Sequence, residues 1–110
     1  MKRCSKMVAV FFTVRVRDQG RERFLEGLRK RARLVDKRKG FEKIDVLQDQ
    51  KDPNRFVVLT WWADYQDFVA WQQSDEFAIA HSRSSELMAE TNLEVFNVVL
   101  SEPVTEQPAD

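Results

Sequence analysis

Cysteine is almost missing: among 110 residues there is one, Cys4, in the basic N-terminal stretch. It has no intrachain partner, so no disulfide framework supports the fold and the sequence fits a reducing compartment. Histidine is as scarce, with His81 alone, and no metal cluster of Cys and His can be assembled. Three glycines and three prolines leave no phosphate-cradling Gly-rich loop and no low-complexity segment. A Ser-His-Asp arrangement is unsupported by these spacings. Long apolar runs are also missing. The one near the N-terminus, residues 7–14, contains Thr13 and is followed at once by Arg15 and Arg17, too short for a membrane span and without a small-residue cleavage site. The expectation is a cytoplasmic protein with no membrane partner.

What is present is enough for one domain. A chain of this length buries a usable core, and 43% hydrophobic residues put it outside the disordered range. Residues 1–102 read as a single domain and 103–110 as a polar, mobile tail. The formal net charge is zero, yet residues 1–41 hold 14 Lys/Arg against 4 Asp/Glu and residues 42–110 hold 4 against 14. A basic half of this kind serves a nucleic acid, an acidic protein, or nothing beyond a solvated helix face balanced by the acidic surface of the same fold. Interleaved aromatics and nucleic-acid motifs are lacking, so the last reading is preferred and no nucleic-acid partner is expected.

Residues 7–16 alternate, with Val8, Val10, Phe12, Val14 and Val16 on one side and Met7, Ala9, Phe11, Thr13 and Arg15 on the other, the period of a strand. Between residues 20 and 39, Phe24, Leu25, Leu28, Ala32 and Val35 recur at helical spacing on a surface of Arg, Lys and Glu, ending at Gly40. Gly27 inside that helix is unfavourable and is read as a close approach to a strand. Phe41–Gln48 and Arg55–Trp62 read as strands of a hairpin joined by the polar stretch 49–54. Asp64 caps a short helix holding Phe68, Val69 and Trp71, and Ser74 caps a second piece whose face carries Phe77, His81 and Met88. Residues 93–100 read as the last strand.

The order is β-α-β-β-α-β with a broken second helix: an α+β, ferredoxin-like chain. Such a sheet has helices on one face only, and Phe11, Val57, Leu59 and Trp61 make the other face apolar too. A second copy of the sheet is the cheapest cover, giving a homodimer around an enclosed α/β-barrel.

His81 is the residue left for chemistry. Neutral imidazole is a good ligand for heme iron, and the alternative is a helix histidine whose polar edge meets solvent or a carbonyl. Phe77 lies one turn before it, Ala78 and Ala80 leave space beside it, and Trp71 precedes the helix break. A flat apolar ligand would fit between these residues and the valine face of the first strand. Trp71 taken alone is more often a core residue than a cofactor wall.

The run Trp61-Trp62-Ala63-Asp64, Phe68-Val69-Ala70-Trp71 and Ser74-Asp75-Glu76-Phe77-Ala78-Ile79-Ala80-His81-Ser82-Arg83 resembles the antibiotic-biosynthesis-monooxygenase superfamily, and within it the heme-degrading monooxygenases of the IsdG type. Gly40-Phe41 and the strand around Val95 and Phe96 also fit. The resemblance implies a dimeric ferredoxin-like barrel with heme in each subunit, both substrate and cofactor, and with dioxygen and an external electron donor such as a reductase. His81 would be the proximal iron ligand and Trp71 the aromatic that presses the porphyrin out of plane. Phe68, Phe77 and Arg83 complete the expected heme-binding set. The family's third position, an asparagine on the first strand, is matched here by Phe12, or by Phe11 if the register slips by one. That departure leaves Thr13 or Asn97 as substitute donors.

Three functions follow. The leading one is oxidative opening of heme with release of iron. The second is a cofactor-independent monooxygenase acting on aromatic polyketide-like substrates, with His81 as base. The third is a non-catalytic dimeric heme carrier or sensor.

Overall fold

Nine residues dense in β-branched and aromatic side chains form β1 (Val8–Val16). The computed structural model describes residues 6–84 and 87–102, and of residues 80 and 82–84 the backbone; the expected tail at 103–110 lies outside the described residues. After β1 come a 3-10 turn at Asp18–Gly20, α1 (Arg21–Val35), β2 (Phe41–Gln48), β3 (Arg55–Trp62), α2 (Tyr65–Gln72), α3 (Asp75–Ser84) and β4 (Met88–Asn97). The sheet order is β2-β3-β1-β4 with every neighbouring pair antiparallel. This is the ferredoxin-like arrangement, with β3 inserted between β1 and β2.

Register follows from β1. Val8, Val10, Val14 and Val16 are buried and face the helices together with Phe56, Val58 and Trp62 of β3. A bulge between Phe41 and Lys43 keeps both Phe41 and Ile44 on that helix side, which an unbroken two-residue period forbids. The core has two parts. Phe24 and Leu28 of α1 cover Val14, Val16, Phe56, Val58 and Met88, whereas Val35, Phe68 and Trp71 cover Val8, Val10 and Trp62.

The local stops are polar. Asp49 accepts from the backbone N–H of Lys51 (2.7 Å) and Asp52 (3.1 Å) and from Arg55 Nη1 (2.9 Å), which turns β2 into β3. The Asp64 carboxylate accepts from Gln66 N at 2.9 Å, capping α2. Ser74 Oγ donates to the Trp71 carbonyl (2.7 Å) and accepts from Phe77 N (3.1 Å), so one hydroxyl both ends α2 and starts α3. Gly40 has φ +80°, and a Cβ there would overlap the Asp67 carboxylate.

Three expectations need correction. The last strand starts at Met88 rather than at residue 93, because pairing along all of β1 requires a partner opposite Val16, and that partner is Met88. Met88 is therefore a core residue of the sheet and not a neighbour of His81 on a helix. Gly27 makes no close approach to a strand, for nothing lies within 4 Å of a Cβ built on it. Ion pairs between the two charged halves do form, at Arg15 with Asp52 and Glu90 and at Arg38 with Glu76, and Arg55 pairs with Asp49 within the acidic half. They leave out the outward residues of α1.

Candidate functional site

Trp71 ends α2 and Phe77 opens α3, and the Ser74 cap sets the angle between them. Their rings meet edge to face at 5.7 Å. One turn further, His81 stacks on Phe77 with centroids 5.6 Å apart and an interplanar angle of 13°. The structure thus brings together three of the expected site residues, joined in the order Trp71, Phe77, His81. Phe68 is buried beside Trp71 in the same core cluster. Trp71 itself is 5% exposed, a packed core side chain whose position is set by Val8, Val10, Val35 and Trp62.

Two arginines that the charge pattern assigned to a solvated surface belong to this group. Arg31, half-buried, lays its guanidinium 5.9 Å from the Phe77 ring centroid, and Arg38 does the same over Trp71 at 5.7 Å. Burial lowers the Arg31 guanidinium from its ordinary value, and it stays charged at neutral pH. Arg38 also donates to the Ala70 carbonyl at 3.3 Å and meets Glu76 at 3.5 Å, tying the chain after α1 to α2 and α3. A signal for Arg31 exists in the sequence. It falls in the series Phe24, Leu28, Arg31, Val35, the spacing of the buried stripe rather than of the outer face.

The valine face of β1 offers no space for a ligand, since α1, Trp62, Phe68 and Trp71 seal it. The open volume is elsewhere: a cleft of about 560 Å³ between α1 and α3, lined among others by Phe24, Leu28, Arg31, Leu34, Ile79 and Leu87. Arg31 joins this cleft to the aromatic group. Nor does Ala78 leave a recess beside His81, because it is exposed; the side chains of Ala80 and Arg83 lie outside the described residues.

A second open surface lies on the sheet. Leu93 and Val95 pair with Phe12 and Val10 and so face the helix side, yet they are 43% and 39% exposed. The helices leave this side of β4 bare. Phe12 is half-buried and packs against the Val14, Phe24 and Leu28 cluster, apart from the Trp71 group. Neither proposed substitute donor stands near it. Thr13 points to the opposite sheet face, opposite Val57 and Asn92. Asn97 pairs with Val8, four residues along the strand from Leu93, or about 13 Å. Phe11 is on the outer face too, in edge contact with Phe96 at 5.2 Å.

A family model described as antibiotic biosynthesis monooxygenase matches residues 7–83, from β1 into α3. The chain belongs to the antibiotic biosynthesis monooxygenase family. The likeness to solved structures is one of fold. A Nitrosomonas europaea protein described as a candidate antibiotic biosynthesis monooxygenase is 20% identical, with 90% of this chain and 94% of that one superposing at a TM-score of 0.81. A conserved protein of Methanosarcina mazei reaches the same TM-score at 19% identity, over 86% and 94% of the two chains.

Among curated relatives, a Staphylococcus saprophyticus protein named heme oxygenase (staphylobilin-producing) is 34% identical over 53 residues, 46% of this chain and 51% of that one. Its Staphylococcus haemolyticus namesake is 33% identical over 60 residues, 53% and 58%. The chain spans about half the length of the curated relatives it matches. Among the described residues, no helix is long and apolar enough to cross a membrane.

Proposed function

We propose that this monooxygenase-family domain binds heme through His81 and opens the ring oxidatively, releasing iron, with dioxygen and a reductase as co-substrate and electron source in the cytoplasm. The observation that carries the reading is the continuous ring contact Trp71, Phe77, His81, set one cation away from an open cleft. Support comes also from the relatives named heme oxygenases, whose matched half is at 33–34% identity.

The residues fit heme on its proximal side. An imidazole held flat against Phe77 has its ring plane fixed, and would lend a nitrogen lone pair to iron. Trp71, locked in the core, is a wall that does not yield to a ligand pressed on it. Arg31 supplies a partly desolvated cation for a carboxylate of the ligand, and Leu93 and Val95 supply apolar contact. When bound, heme provides the iron and macrocycle at which dioxygen reacts; the chain binds, orients and keeps water out.

The distal side favours a second reading. Phe12, with Val58 and Leu93 as its strand partners, stands where the resembling family has an asparagine, so a heme carrier or sensor is the alternative. Heme added to the purified protein, followed by ascorbate under air, separates the readings. A Soret band that bleaches supports ring opening, a band that persists supports the carrier, and no band at all leaves the cofactor-independent monooxygenase.

A homodimer completes the reading. On the outer face Ala9 and Leu59 are buried, Phe11, Val57 and Trp61 are half-buried, and Leu47 and Phe96 are each 48% exposed. A second sheet laid on this surface removes that apolar area from water.

A further inference from the structure

Six cations on and just after α1, Arg23, Arg29, Lys30, Arg33, Lys37 and Lys39, are exposed. Among the described residues, none of them meets a carboxylate. Four carboxylates of the acidic half are committed elsewhere: Asp49, Asp52, Glu76 and Glu90 pair with Arg55, Arg15 and Arg38. Glu22, Glu26 and Asp36 on the same segment offset part of the charge and leave an excess of positive charge on one helix, about 22 Å long at 1.5 Å per residue. Two of the six, Arg23 and Lys30, also line the α1–α3 cleft.

We propose that the outward face of α1 is the docking surface for an acidic electron-carrier protein, which it seats beside the cleft. The inference rests on the redox reading above and names the chemistry of its electron source. Unpaired surface cations do little for fold stability but raise the encounter rate with an oppositely charged partner. A face one helix long matches the small interfaces of transient redox encounters. A long nucleic acid fits less well, because the helix face presents no aromatic for bases to stack on. Each docking passes one electron, the carrier being oxidised and the protein-bound ferric iron reduced to ferrous.

The test uses an acidic plant-type ferredoxin as probe, with the wild-type chain and an Arg29→Gln, Arg33→Gln, Lys37→Gln variant, none of which lines the cleft. Calorimetric titration without heme should show binding at low salt that high salt abolishes and that weakens at least tenfold in the variant. With heme loaded, ferredoxin-driven turnover should fall by a similar factor and ascorbate-driven turnover stay unchanged. No binding by the wild type, equal binding by the variant, or an equal fall of both turnovers overturns the proposal. So does tighter binding of duplex DNA or phosphatidylserine vesicles that the variant loses. The titration needs no heme, so a failed heme reading, seen as a missing Soret band, is distinguishable from a failed docking face.

Discussion

His81 stacks on Phe77 nearly parallel, 13° between planes at 5.6 Å, and Phe77 in turn carries Arg31 near its ring. The pair spans one helical turn, the spacing at which side chains on a helix meet. Phe77→Leu keeps most of the apolar volume and removes the stack. On the heme reading it should leave folding within about 1.5 kcal/mol and weaken heme binding about 2- to 10-fold, the equivalent of one aromatic pair. Urea unfolding and heme titration check the two effects separately.

Two glycines should respond to alanine with opposite signs. Gly40 has φ +80° and no room beside Asp67, so Gly40→Ala should cost about 1–3 kcal/mol. Gly27 sits inside α1 with nothing near its missing Cβ, so Gly27→Ala should stabilise by about 0.5–1 kcal/mol. Denaturation midpoints with unchanged slopes give both values.

Acid should loosen the β2–β3 turn. The backbone N–H groups of Lys51 and Asp52, then Arg55, hold the Asp49 carboxyl below its ordinary value. A depressed folded-state value means that its stabilisation is present above the unfolded carboxylate range, near 3.9, and is lost as pH falls through the folded-state value. Melting temperatures followed from neutral pH downward should therefore decline less steeply on the acid side in Asp49→Asn than in the wild type.

The outer sheet face should hold two copies together. Light scattering on the eluting protein should give twice the 13.0 kDa chain mass, and Phe96→Glu with Leu47→Glu should shift the species to monomer with the helix content unchanged. A wild-type monomer at micromolar concentration contradicts the dimer.

Legibility in the sequence followed the range of the interaction. The alternation of β1, the amphipathic stripe of α1 and the Asp64 and Ser74 caps depend on residues a few positions apart, and they appear in the structure where the pattern puts them. The place of Met88 is not legible locally, because the start of β4 is set by Val16, 72 positions away. The ring contact of Arg31 is not legible, because a charge on a basic helix looks like surface until Phe77 is brought under it. The ligand space was expected at the valines, whose alternation marks a buried face but says nothing of what buries it. Trp71 and His81 stood out by rarity and spacing, and the ring of Phe77 joins them.

The central claim is that His81 is the iron ligand. Titration of hemin into the wild-type protein and into His81→Ala, followed by absorbance, tests it directly. The account predicts a saturable Soret band at one heme per chain in the wild type, and in the variant a band that is lost or shifted with affinity down at least tenfold. Equal bands of equal affinity in the two proteins would contradict it.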